Sequence, residues 1–156
     1  MELTRHLLAV FAVAANGIAA GIMLSTVIGI VPLMLALPYG RYVQTVQFLR
    51  PRFDPVMPIT NGCTLVLDIT LAATAADFAT SVAFAAAATL LGLVMAVSIT
   101  KNVPVNRYIM SLDPQQQPER WARLDPRSRW RLWNLLRTAL ATGAFAINIV
   151  AAMQLT

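Results

Sequence analysis

The chain has 156 residues, of which 58% are hydrophobic and 12% charged, and its mean hydropathy is +0.65. Soluble domains carry about 25% charged residues, so this composition excludes an ordinary soluble domain and implies that the apolar surplus faces lipid. The net charge of +5 does not point to nucleic acid, because the basic residues flank apolar runs, where they set membrane orientation.

A helix needs roughly 20 apolar residues to cross the hydrocarbon. Leu7 to Leu37 contains no charge over 31 residues, more than one crossing requires, so a tilt or kink is expected. Pro32, inside the run, removes a backbone donor, and Pro38-Tyr39-Gly40 reads as the stop. The run is too long for the apolar core of a signal peptide. Within it, Gly17-Ile18-Ala19-Ala20-Gly21 is a small-xxx-small pattern that permits close helix packing. That face is one candidate contact for a homo-oligomer.

The second apolar region, Ile59 to Thr100, holds only Asp68 and Asp77 as charges, and its length fits a helical hairpin turning between Ala76 and Thr80. A polar segment, amphipathic or irregular, follows. Asp125-Pro126 then opens a last helix, with the aspartate as cap and the proline at the first helical position. The expected fold is an all-α four-helix membrane bundle forming a single domain, 1–156, with spans of about 7–37, 59–76, 80–99 and 130–154.

With four spans, the N-terminus, hairpin turn and C-terminus share one side and carry only Arg5. The other side carries Arg41, Arg50, Arg52, Lys101, Arg107, Arg120, Arg123, Arg127, Arg129 and Arg131, ten against one. The positive-inside rule places those two loops in the cytosol and both termini outside. The tryptophans and tyrosines cluster at the same ends, as an interfacial belt would. A multi-pass protein of the cell membrane is expected.

Polar residues inside spans need a partner or a water-filled cavity. Asn16, Asn61, Asp68, Arg137 and Asn148 are the candidates. Asn61 and Asp68 share one helix face by spacing, as do Trp130, Asn134, Arg137 and Asn148. An intramembrane carboxylate costs a few kcal/mol unless paired or protonated, and Arg137 is a candidate partner for Asp68 if their depths match. The alternative is a structural ion pair or a neutral acid that holds helices together. The methionines show no repeated spacing and read as packing. A lone His6 makes no metal site, and no phosphate, dinucleotide or nucleophile motif is present.

Asn102-Val103-Pro104-Val105-Asn106 at the end of the third helix, then Trp121, then Arg129-Trp130 followed by Asn134 and Arg137, resembles the signature of a family of small four-span membrane proteins that includes the anthrone oxygenases. The resemblance extends to the glycines and Pro32 of the first helix. It implies oxygen insertion into a reduced tricyclic aromatic polyketide, without a bound redox cofactor. Asn134 stands where the fungal enzymes have a histidine, and an amide orients a substrate but does not take a proton near neutral pH. In this reading Arg137 stabilises an enolate, Asn134, Asn102 and Asn106 fix its oxygens, Trp130 is an aromatic wall, Asn16 and Asn61 contribute to binding, and Asp68 accepts the proton. The same residues also read as helix caps and headgroup anchors. A cyclase or isomerase of secondary metabolism would use the same cavity, and a non-catalytic transporter or assembly subunit stays open. A polar path through the bundle would favour transport; a pocket open on one side would favour an enzyme acting on a hydrophobic small molecule.

Overall fold

The structure, a computed structural model, describes residues 2–155. Six helices follow in chain order: α1 Glu2–Ala36, α2 Tyr39–Phe53, α3 Val56–Thr74, α4 Phe78–Met110, the single turn α5 Trp121–Leu124, and α6 Arg127–Met153. Helices α2 and α3 run on through the Asp54-Pro55 turn, and α5 leads into α6, so the chain makes four apolar rods of 33 to 36 residues. These make it a multi-pass membrane protein. At about 1.5 Å per residue, the 35 residues of α1 span roughly 50 Å. The hydrocarbon core is about 30 Å thick, so the bundle stands well clear of it.

The excess length lies at the basic end. Sequence spacing placed a loop after Pro38 and ended the third span at Ile99. Instead α2 is helical and α4 continues to Met110. In α2 the apolar residues Tyr39, Tyr42, Val43, Val46, Leu49 and Phe53 recur at helical spacing, and this stripe folds inward. The aromatic residues assigned to an interfacial belt are in part a protein core: Tyr39, Tyr42 and Trp121 are buried with Met34, Val43 and Ile109. The rings of Tyr39 and Trp121 meet edge-on at 4.7 Å. A cap protruding into water needs its own apolar centre, which is why these rings turn inward.

Hydrogen bonds tie the cap down. The Tyr39 hydroxyl donates to the Asp113 carbonyl at 2.8 Å, and the Gln47 amide donates to the Leu112 carbonyl at 3.0 Å. Arg127, paired with Asp125 at 2.6 Å, donates to the terminal α1 carbonyls of Met34 at 3.0 Å and Leu37 at 2.7 Å. These carbonyls lack intrahelical donors, so the guanidinium satisfies acceptors otherwise orphaned at a helix end. A Cβ on Gly40 would stand 2.6 Å from the Pro114 carbonyl oxygen, so this close approach requires glycine.

At the other end, the His6 ring donates through Nε2 to the Leu155 carbonyl at 2.9 Å, which brings the two ends of the chain together. The α3–α4 turn lies at the same end. Asp77 caps α4 by accepting from the Thr80 N–H at 2.9 Å, and the Ser81 hydroxyl donates to the Ala72 carbonyl at 2.8 Å. That backbone hydrogen bond holds the Asp77 carboxyl below its ordinary range. Between the ends, buried alanines at 9, 12, 19, 87, 141, 144 and 151 let the rods approach closely. Gly17 packs against the Phe145 ring, so this part of the glycine pattern serves contact within the bundle.

Two local widenings of the helices have a proline cause. Thr26–Ile30 in α1 and Ser98–Asn102 in α4 are single π turns. Val31 donates to the Thr26 carbonyl and Val103 to the Ser98 carbonyl, and each precedes a proline. Pro32 and Pro104 have no N–H to continue the ladder, so the backbone widens one turn earlier. Both wide turns face the same space.

Candidate functional site

That space is a cavity of about 340 Å³ between the basic ends of the four rods, within the range of roughly 300–1,000 Å³ common for ligand pockets. Its wall is mainly apolar: Ile22, Met23, Ile30 and Met34 of α1, Val46, Leu49 and Phe53 of α2, Met57 of α3, and Met95 and Ile99 of α4. The π turns contribute Thr26, Ser98 and Asn102, and α6 contributes Trp130, Asn134 and Arg137.

The polar groups form a connected set. Arg137 donates from one terminal nitrogen to the Ser98 hydroxyl at 2.8 Å and from the other to Asn134 Oδ1 at 2.6 Å. The Asn134 amide is itself oriented by donating to the Trp130 carbonyl at 2.8 Å. Arg137 Nε has no partner, nor do the buried oxygens Asn61 Oδ1 and Asn102 Oδ1. Among the described residues the ion pairs are Arg50–Asp54 and Arg127–Asp125, so Arg137 makes no ion pair in the cavity, whose one carboxylate, Asp54, is paired with Arg50. A buried, unpaired cation favours an anionic partner strongly. Asn134 and Ser98 hold its planar head in place.

Of the residues singled out from sequence, Asn61, Asn102, Asn106, Trp130, Asn134 and Arg137 line this cavity. Asn16 and Asp68 do not. The expected partnership of Asp68 with Arg137 is corrected by the structure: Asp68 Oδ2 accepts from Asn148 Nδ2 at 3.1 Å, with both residues fully buried. The mismatch is one of depth. In α6, Ala141 lies between Arg137 and Asn148, and in α1, Ala20 lies between Asn16 and the cavity-lining Met23. Ala20, Val94 and Ala141, from α1, α4 and α6, pack as a buried apolar cluster between the two levels, and on α3 the buried Thr64 lies between Asn61 and Asp68.

Other lining residues escaped sequence reasoning. Arg50, Phe53 and Asp54 lay in a presumed loop, although their spacing already matches one helix face. Met23, Met34, Met57 and Met95 read as packing, whereas here their flexible side chains form the cavity wall. Ser98 had a readable signal, since it lies four residues before Asn102 and therefore on the same face.

A family model described as "Anthrone oxygenase" matches residues 53–147. That stretch holds α3 and α4 entire, α5, most of α6, and every lining residue from Phe53 onward. No curated protein and no solved structure matches.

Proposed function

The chain belongs to the anthrone oxygenase family, and from that premise we propose that it oxidises a hydroxylated, polyketide-like aromatic substrate at an activated methylene carbon, using dioxygen and no bound redox cofactor. Membership supports a biosynthetic enzyme role. The observation that carries the finer reading is Arg137, in no ion pair and held by Ser98 and Asn134 in a mainly apolar cavity.

Removing a proton from the methylene sends its electron pair into the ring system and onto an oxygen, giving an enolate. Arg137 receives that charge, and the Asn102 and Asn61 side chains offer further polar contacts. Trp130 and the methionines flank the rings. The electron-rich enolate then reacts with dioxygen. The overall change converts CH2 and O2 to C=O and H2O: one oxygen atom goes to carbon, the other leaves as water, and the four electrons all come from the methylene. No outside reductant enters the balance.

The apolar layer of Ala20, Val94 and Ala141 below the cavity supports a pocket over a through-path. The basic cap faces the cytosol in this reading, so a hydrophobic substrate is bound near the cytosolic leaflet of the cell membrane. The test is oxygen uptake and quinone absorbance from purified protein in nanodiscs given a hydroxylated anthrone. Arg137→Met is expected to lower kcat by about 10²–10³, the usual cost of a lost oxyanion donor. A wild-type protein that adds nothing to the spontaneous rate overturns the assignment.

A further inference from the structure

We propose that Asp54 is the general base that removes the methylene proton; this rests on the oxidation proposed above. Three ionisable side chains line the cavity, Arg50, Asp54 and Arg137, and Asp54 is the carboxylate among them. It sits at the turn joining α2 to α3, where Pro55 opens the next helix. Arg50, four residues earlier on α2, donates from Nε to Asp54 Oδ2 at 2.6 Å, which holds one carboxylate oxygen and leaves Oδ1 free.

The arrangement divides the labour of enolate formation. The C–H bond breaks as Asp54 Oδ1 takes the proton, and the electron pair moves to the substrate oxygen held by Arg137. A carboxylate can deprotonate carbon when the enolate it creates is stabilised by strong donors. The Asp54 side chain is 46% exposed, so after the transfer its proton passes to water at the cavity rim. Asn134 has no basic nitrogen, and Asp68 lies beyond the apolar layer. Arg50 is a positioning residue for Asp54.

Deuterium exchange isolates this step. Anaerobically, wild-type protein is expected to speed exchange of the methylene hydrogens of a hydroxylated anthrone with solvent deuterium. Asp54→Asn, which keeps the side-chain shape, is expected to lose that catalysed exchange and to lower aerobic kcat by about 10²–10⁴, the usual contribution of a positioned base. KM should change little, and Asp54→Glu should recover part of the rate. Thermal unfolding of each variant in detergent checks the fold, and the glutamate variant keeps the test decisive should the asparagine variant unfold. If wild type neither exchanges nor oxidises the anthrone, the functional reading fails. If wild type oxidises it but Asp54→Asn exchanges at the wild-type rate, or wild type oxidises without catalysing exchange, the role of Asp54 is overturned and the oxidation stands.

Discussion

Asn148→Leu removes the donor that Asp68 uses, at a point where both residues are fully buried. A buried carboxyl deprived of its partner costs about 1–3 kcal/mol, while hydrogen bonds between membrane helices contribute about 0.6 kcal/mol on average and about 1.7 at most. The Asn148 amide is the one side-chain donor that reaches Asp68 among the described residues, and Asp68 Oδ1 has no partner. A loss of about 1–2 kcal/mol is expected. The double variant Asp68→Leu/Asn148→Leu should recover most of this loss, because replacing both partners by apolar groups is close to neutral. Reversible unfolding in mixed micelles, arranged as a double-mutant cycle, measures the coupling. Purely additive effects would refute the reasoning. Turnover should stay near wild type in Asn148→Leu, since Ala20, Val94 and Ala141 separate this level from the cavity.

Gly40→Ala places a Cβ 2.6 Å from the Pro114 carbonyl and should destabilise the cap by about 1–3 kcal/mol, as overpacking does; faster proteolysis between residues 111 and 120 would report it. Asp77 is held below its ordinary carboxylate range by the Thr80 N–H, so its stabilising contribution is complete above the unfolded-state value of 3.8 and is lost as pH falls through the lower folded value. Unfolding measured from pH 5 downward should show an acid loss that Asp77→Asn, which caps without titrating, partly removes. In a Cys63→Ser background, a single cysteine introduced at Gln116 should react with an impermeant maleimide only in inside-out vesicles; labelling of intact cells would reverse the orientation inferred from the ten-to-one charge count.

The four rods were legible because lipid imposes a length on apolar runs that few other environments do. The cavity residues on α4 and α6 were legible because Asn102, Asn106, Trp130, Asn134 and Arg137 interrupt apolar helices near one end, where each demands a partner. What escaped has two physical causes. Helix α2 carries a regular inward stripe from Tyr39 to Phe53, but its arginines and glutamines lower its mean hydropathy, so a search for spans passes over it. The separation of Asp68 from Arg137 depends on the relative depth of α3 and α6, which pack on α1 and α4 rather than on each other, and such a register carries no signal in a single sequence. Residue spacing fixes a face within one helix; it does not fix depth between two.

The central claim is that dioxygen supplies one oxygen atom to a methylene carbon within the Arg137 cavity. Its most direct test is turnover of a hydroxylated anthrone by the purified protein under 18O2, with the quinone analysed at once by mass spectrometry. The account predicts one 18O atom per quinone, the second in water, and loss of catalysed labelling in Arg137→Met. Quinone formed by wild type with oxygen drawn from water, or catalysed labelling undiminished in Arg137→Met, would contradict it.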